Sequence, residues 1–178
     1  MRTLITGIGG FVGGHLARHQ LSLGGYEIVG TTLAPVDSYD HLKPLVGDGV
    51  ILHQVDLTVP EAVDDLLLAV RPEQIFHLAA QSFVAESFGN PWATIENNIR
   101  AQLNLLEGIV RQQLDSRILI VSSGEVYGPV SPDDVPINES QPLRPANPYA
   151  VSKVTQDMLG LQYHLSHGCL LYTSPSPR

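Results

Sequence analysis

Short apolar runs alternate along the chain with longer segments of helical character. The apolar runs, each of strand length, cover positions 3–6, 26–32, 50–55, 74–78 and 118–121. The helical segments cover 14–23, 60–70, 92–113 and 148–167, and in the second of them apolar residues recur at the spacing of one helix face: Val63, Leu66, Leu67 and Val70. This alternation predicts the α/β class, with a doubly wound parallel sheet covered by helices on both faces.

The first strand runs directly into a glycine-rich turn. Gly7, Gly10 and Gly13 are spaced three apart, with Phe11 and Val12 between the last two. Glycine permits a tight strand-to-helix turn and lets backbone N–H groups approach a pyrophosphate, whose charge is favoured at the helix N-terminus. Because a strand precedes the turn and a helix and second strand follow it, the turn predicts a Rossmann-type dinucleotide site.

The end of the second strand bears on the choice of dinucleotide. An acidic residue there would bind the ribose 2′-hydroxyl, and an arginine would favour the 2′-phosphate. The chain has neither at positions 31–34, and Asp37 comes late enough to be a loop residue. Since no acid repels the phosphate, we expect NADP, with NAD as the alternative.

Polar and small residues follow the next strands. Asp56 ends the third strand, where it can accept from the adenine amino group or cap the following helix. Ala79 and Ala80 follow the fourth strand, and their small side chains let a flat ring or a ribose lie close. Inside the long helix, an inward-facing Asn98 can hold a water or a backbone group, whereas an exposed Asn97 would be plain surface. All these strand ends meet at one edge of a parallel sheet, where ligands bind.

A tyrosine and a lysine four residues apart form the candidate catalytic pair. In a helix, Tyr149 and Lys153 share a face, and the ammonium favours the phenolate, which makes the tyrosine a usable acid or base. Ser123, at the end of the fifth strand, can hydrogen-bond the same substrate oxygen. The alternative is a chance pair on a solvated helix, but the chain has two lysines in all, and one of them lies here.

Composition excludes several classes of function. The 178 residues are 43% hydrophobic and 16% charged, with a formal net charge of −8, so the chain is globular, and we expect no nucleic-acid or membrane partner. The single cysteine, Cys169, fits a cytoplasmic setting. The seven histidines show no metal-ligand spacing, so we expect no metal. His77 is interpreted as a packed or hydrogen-bonded strand residue.

The chain resembles the extended short-chain dehydrogenase/reductase superfamily, and within it the branch of GDP-mannose 4,6-dehydratase and GDP-4-keto-6-deoxymannose reductase. The resemblance covers almost everything from position 2 to about 168. It is carried by the glycine turn at 6–13, His-Leu-Ala-Ala at 77–80, Ser-Ser-Gly-Glu-Val-Tyr-Gly at 122–128, Pro-Leu-Arg-Pro at 142–145 and Pro-Tyr-Ala-Val-Ser-Lys at 148–153.

The resemblance implies a role for each matching residue. The turn glycines would bind the pyrophosphate, and Asp56 with Leu57 the adenine side. Tyr149 would be the acid/base at the sugar's C4, Lys153 would hold the ribose, and Ser123 would orient the substrate oxygen. The further cofactor-binding residues expected are Phe11, Val12, Ala79, Ala80 and Asn98. The two long helices imply a homodimer in the full-length protein.

Within this branch the residues favour the reductase, acting on a GDP-sugar. Glu125 lies where the dehydratases keep the base that removes the C5 proton, but Gly124 beside it supplies no proton donor. The Phe11-Val12 pair also looks more like the reductase. The alternative is the dehydratase or a related epimerase. A non-catalytic dinucleotide sensor is the alternative of another class, and such proteins typically lose the tyrosine or the lysine, which this chain keeps.

The resemblance also bears on the end of the chain. The family's substrate domain lies in a C-terminal half that this sequence lacks. We expect a dinucleotide-binding domain over residues 1–168 and a non-native or unstructured tail over 169–178, because Ser-Pro-Ser-Pro is a poor strand sequence.

Overall fold

The computed structural model describes residues 1–174, and for 170–174 it describes the backbone alone. Its six parallel strands lie in the order β3-β2-β1-β4-β5-β6. Their bounds are β1 Arg2–Thr6, β2 Glu27–Thr32, β3 Ile51–Gln54, β4 Gln74–His77, β5 Arg117–Val121 and β6 Leu170–Ser174. The doubly wound α/β prediction is confirmed. The strand order reverses direction between β1 and β4, which is where ligands bind in sheets of this type.

Six α-helices connect and cover the strands. They are α1 Phe11–Leu23, α2 Lys43–Gly47, α3 Pro60–Val70, α4 Val84–Gly89, α5 Pro91–Arg111 and α6 Pro148–His167. The prediction began α1 at residue 14 and was wrong by one turn, because residues 11–13 were assigned to the glycine turn and the apolar Phe11 and Val12 are exposed, so they mark no buried helix face. Neither α2 nor α4 was predicted, because both helices are too short to show a helical period.

The sheet is buried on both faces. Leu4 and Ile5 are consecutive residues of β1, so their side chains point to opposite faces, and both are fully buried. Leu4 belongs to a core formed with α3, α5 and α6, and Ile5 to a second core formed with α1 and α2. This two-sided burial explains why the strands appear in the sequence as continuous apolar runs.

The last described segment differs from the expectation. We predicted a non-native or unstructured tail over residues 169–178, but the backbone of Leu170–Ser174 forms β6 and pairs in parallel with all five residues of β5, so this part of the tail is not unstructured. The prolines that argued against a strand come later, at 175 and 177. The remainder of the predicted tail, residues 175–178, lies outside the described residues.

The glycine turn comes into close contact with the loop after β4. Gly7 has a φ of +69°, and a Cβ there would lie 2.8 Å from the backbone N and Cα of Ala79. A side chain would therefore be strained by the backbone conformation and would also push the β1 and β4 loops apart. The absence of a side chain at Gly7 lets the two central strands end side by side.

We expect Gly7→Ala to destabilise the protein more than Gly168→Ala. Gly168, at the end of α6, has a φ of +67° with open space around it, so alanine there adds only the cost of the left-handed backbone, about 1–2 kcal/mol. Gly7→Ala should cost about 1–3 kcal/mol more, since overpacking is added. Urea unfolding of both variants measures this difference, and equal losses would show that the close approach carries no strain.

Candidate active site

A cavity of about 770 Å³ opens at the carboxyl edge of the sheet. It is lined by the glycine turn at 7 and 9–13 and by the strand ends and following loops at 31–33, 55–58, 77–82 and 121–122, with Tyr149 and Lys153 of α6. The strand ends therefore meet in one crevice, as the sequence predicted. Most of the predicted site residues line it: Gly7, Gly10, Phe11, Val12, Gly13, Asp56, Leu57, Ala79, Ala80, Tyr149 and Lys153.

Tyr149 and Lys153 lie together on the buried side of α6. The Lys153 Nζ is 6.0 Å from the centre of the Tyr149 ring and donates a hydrogen bond to the carbonyl oxygen of Val121, at 3.0 Å. Burial lowers the pKa of Lys153 to about 8, although the charge of Asp157 opposes this shift. A lysine with this pKa is still largely an ammonium at neutral pH, and it can favour the phenolate of its neighbour.

Ser123 and Glu125 do not line the cavity, whereas Ser122 does. Ser123 caps the short 3₁₀ helix Gly124–Tyr127, and its Oγ accepts from the Glu125 N–H at 3.2 Å. The Glu125 carboxylate is exposed and accepts from Asn147 Nδ2 at 2.8 Å. Asn147 in turn caps α6 by accepting from the Ala150 N–H at 2.8 Å. Glu125 is thus connected to the start of the helix that carries the Tyr–Lys pair.

A family model described as GDP-mannose 4,6 dehydratase matches residues 4–174. The chain belongs to this family.

Individual relatives agree with that membership. GDP-6-deoxy-D-mannose reductase of Pseudomonas aeruginosa is 34% identical over 167 residues, which are 94% of this chain and 48% of that protein. The structure of UDP-glucose 4-epimerase from Thermus thermophilus, complexed with NAD, matches with a TM-score of 0.86 at 31% identity, over 97% of this chain and 54% of that one. RMD from Pseudomonas aeruginosa, complexed with NADPH, matches with a TM-score of 0.78 at 32% identity, over 97% and 53%. The chain spans about half the length of these relatives.

In this member of the GDP-mannose 4,6 dehydratase family, Asn98 is fully buried and does not line the cavity. Its Oδ1 accepts from the Gln81 N–H at 2.7 Å, and its Nδ2 donates to the Gln81 carbonyl at 3.1 Å and to Ser152 Oγ at 2.9 Å. Ser152 Oγ then donates to the Tyr149 carbonyl at 2.7 Å. The prediction that an inward-facing Asn98 holds a backbone group is confirmed. Both polar atoms of the Asn98 side chain are hydrogen-bonded within the protein. Asn97, in contrast, lines the cavity.

Asp56 lies at the cavity but does not cap α3. Its Oδ1 accepts from the backbone N–H and the hydroxyl of Thr58, at 2.9 and 2.7 Å, and the residue at the N-cap position of α3 is Val59. The other carboxylate oxygen is the one that remains for a ligand. The capping alternative is therefore wrong, and Asp56 stays a candidate for the adenine side.

His77 and Tyr39 line the cavity without having been predicted as site residues. His77 Nδ1 hydrogen-bonds to Thr6 Oγ1 at 2.9 Å, and burial followed by the charge of Lys153 lowers the pKa of this imidazole to about 3. The interpretation of His77 as a hydrogen-bonded strand residue is confirmed. The ring of Tyr39 lies against Gly9, where a Cβ would come within 2.5 Å of it. No sequence signal places Tyr39 there, because it lies between two 3₁₀ helices of three residues each, which are too short to show a periodic pattern.

Among residues 1–174, no group of three or more His, Cys, Asp or Glu side chains is arranged to hold a metal ion. In the same range, no helix combines the length and the apolar character needed to cross a membrane.

We expect Asn98→Ala to destabilise the protein by about 2–4 kcal/mol, since the Gln81 backbone groups and the buried Ser152 Oγ each lose the hydrogen bond that Asn98 makes to them. Asn97→Ala is the matched control, because Asn97 is partly exposed and loses one hydrogen bond, to Asn98. That control should lose less than about 1 kcal/mol. Urea unfolding compares the two variants, and similar losses would contradict the role given to Asn98.

Proposed function

We propose that this protein binds NAD(P) in the cavity and reduces a nucleotide sugar at C4, with GDP-4-keto-6-deoxymannose as the substrate. One observation carries the proposal. A single cavity has a glycine turn at the amino end of α1 on one side and the Tyr149–Lys153 pair on the other. A dinucleotide laid across the sheet would have its pyrophosphate at the first and its reactive ring at the second.

The glycine turn fits a pyrophosphate. Gly10 is exposed at the N-cap of α1 and makes no side-chain cap. Gly13 allows the helix to lie against Ile8, whose Cα would be 2.6 Å from a Cβ at this position. The first N–H groups of α1 are therefore free of side-chain caps and face the cavity, as an anion site requires.

The residues at the end of β2, where the adenosine ribose of a dinucleotide would lie, support NADP, with NAD as the alternative. Thr31, Thr32 and Leu33 line the cavity at the end of β2, and Asp37 does not. No carboxylate there would repel a 2′-phosphate. The P. aeruginosa structure with NADPH agrees with this preference, whereas the epimerase with NAD keeps the alternative open.

The nicotinamide of a bound dinucleotide would supply the hydride. This chain would supply the proton: the Tyr149 hydroxyl gives it to the sugar oxygen at C4 as the carbonyl becomes a hydroxyl. Lys153 stabilises the resulting phenolate and offers its ammonium to the ribose. Ser123 keeps the role toward the same sugar oxygen that the family resemblance implies, and it lies next to the cavity-lining Ser122.

Two observations favour reduction over dehydration. Glu125 lies outside the cavity and is hydrogen-bonded to Asn147. Gly124 has open space where a side chain would be, so it offers no donor for a departing 6-hydroxyl. The dehydratase remains the second candidate because the matching family model is described by that activity.

The exposed face of α6 supports a homodimer. Val151, Met158, Leu161 and Leu165 are between 41% and 74% exposed and recur at intervals of seven, three and four residues. This spacing gives one apolar stripe along the helix, on the side away from the sheet. A second copy of the same helix is the partner that such a stripe fits. We also propose a cytoplasmic location, in keeping with the single, free cysteine.

The activity is tested by incubating the full-length protein, from the gene extended past residue 168, with NADPH and GDP-4-keto-6-deoxymannose, and separately with NADP and GDP-mannose. We expect NADPH to be consumed with the keto sugar alone. Tyr149→Phe should lower kcat by about 10²–10⁴-fold, the size of a lost general acid, while NADPH still binds. Tyr26→Phe, which removes a phenol hydroxyl outside the cavity, should leave kcat unchanged.

Other outcomes would reverse this assignment. A keto sugar formed from GDP-mannose without net cofactor consumption would make the protein a dehydratase and Glu125 its base. NADPH binding without turnover of either sugar would favour a dinucleotide sensor.

The dimer is tested by sedimentation velocity. We expect Leu165→Asp to convert the dimer to a monomer, because a charge would be buried in an apolar interface. Leu68→Asp is the control: Leu68 is 63% exposed on α3, away from the stripe, and its variant should remain dimeric. A dimer that persists in Leu165→Asp would contradict the proposed interface.

A further inference from the structure

Asp157 connects the helix of the Tyr–Lys pair to the end of β5. It lies four residues after Lys153, so both side chains project from the same face of α6. Its Oδ2 accepts from Ser122 Oγ at 2.5 Å. Lys153 Nζ donates to the carbonyl of Val121, the residue before Ser122. Two consecutive residues of the strand end are thus held by two side chains one helical turn apart.

The second oxygen of the same carboxylate is buried without a hydrogen-bond partner among the described residues. Burial raises the pKa of Asp157, whereas the Ser122 hydrogen bond and the charge of Lys153 lower it. A half-satisfied carboxylate is costly to bury unless a cation compensates it. Lys153, one helical turn away on the same helix, carries the positive charge that acts on this carboxylate, although the two side chains form no direct ion pair among the described residues.

Among the described residues, few titratable groups face Lys153 from the surrounding elements. His77 faces it from β4 and is neutral, since burial holds its pKa near 3. The β5 end presents the Val121 carbonyl and the Ser122 hydroxyl. On α6 itself the groups are the Tyr149 phenol and the Asp157 carboxylate. Asp157 is therefore the carboxylate whose negative charge acts on the ammonium and raises its pKa, against the effect of burial.

We propose that Asp157 is a positioning residue that supplies the counter-charge for Lys153, and that Ser122 holds this carboxylate in place against the end of β5. The proposal rests on the proposed function, which gives Lys153 its role toward the ribose and the tyrosine. Asp157 itself does not line the cavity. Its effect reaches the reacting groups through the lysine.

The two lysines of the chain make a direct test possible. Protein labelled with ¹³C at lysine Cε should show two resonances, and Lys43→Arg assigns them. In Asp157→Asn, which keeps the side-chain shape and removes the charge, we expect the Lys153 pKa to fall by about one unit, the lower end of the effect of a nearby opposite charge. The resonance of Lys43, which is exposed and paired with Asp40, serves as the internal control.

Two more variants complete the test. Asp157→Glu retains the charge and should keep the Lys153 pKa close to that of the unaltered protein. Asp157→Ser is smaller and neutral, and should lower the pKa as Asp157→Asn does if the latter fails to fold. An unchanged Lys153 titration in either folded neutral variant would overturn the proposal and leave Asp157 as a packing residue.

NADPH affinity measured across pH separates this inference from the proposed function. We expect the neutral variants to lose affinity at a lower pH than the unaltered protein, because their Lys153 loses its proton earlier. If Lys153 responds to Asp157 but neither protein binds NADPH, the counter-charge inference holds and the cofactor proposal fails. If NADPH binds equally well across pH in all variants despite a shifted lysine, the proposed link between Asp157 and the cofactor is wrong.

Discussion

The site depends on one constraint, which is that a lysine ammonium must stay charged while almost entirely out of water. Lys153 is 6% exposed, and burial lowers its pKa to about 8. A buried ammonium is stable only where acceptors and counter-charge are arranged around it. The end of β5 supplies a carbonyl, α6 supplies Asp157, and β4 supplies a histidine that stays neutral. The relative positions of β4, β5 and α6 must therefore be fixed for Lys153 to remain charged at the side of the cavity.

A row of polar side chains between α5 and α6 fixes those positions. Asn98 donates to Ser152, Gln102 Nε2 donates to the Gln156 carbonyl at 2.7 Å, and Gln156 Nε2 donates to the Asn98 carbonyl at 3.0 Å. Apolar side chains would bury as much area but would tolerate sliding of one helix along the other. Directional bonds at successive turns permit one register only. That register places Tyr149 and Lys153 at the carboxyl edge of the sheet, where they line the cavity.

The strands and the glycine turn could be predicted from the sequence. Apolar runs located five strands, because a sheet buried on both faces requires continuous apolar sequence, and the glycine turn was located by its spacing after the first strand. Orientation within the site was not predictable. Ser122 rather than Ser123 lines the cavity because Ser123 caps a 3₁₀ helix, and Asp157 lies beside Ser122 through packing between elements 35 residues apart. Sequence spacing carries no record of such contacts.

The position of Glu125 bears on the chemistry through an energetic comparison. As a base for dehydration, this carboxylate would first have to leave Asn147, which also caps α6. The cap, made by Asn147 Oδ1 to the Ala150 N–H, would stay in place. Losing the hydrogen bond to the carboxylate costs about 1.5–3 kcal/mol, which is small beside the ~8–23 kcal/mol by which enzymes lower reaction barriers. The hydrogen bond to Asn147 therefore does not exclude dehydration. Geometry weighs more heavily against dehydration. Glu125 lies outside the cavity and Gly124 provides no proton donor, so neither the base nor the acid that an elimination needs is in place. Reduction needs one proton, and Tyr149 is already at the cavity wall to give it.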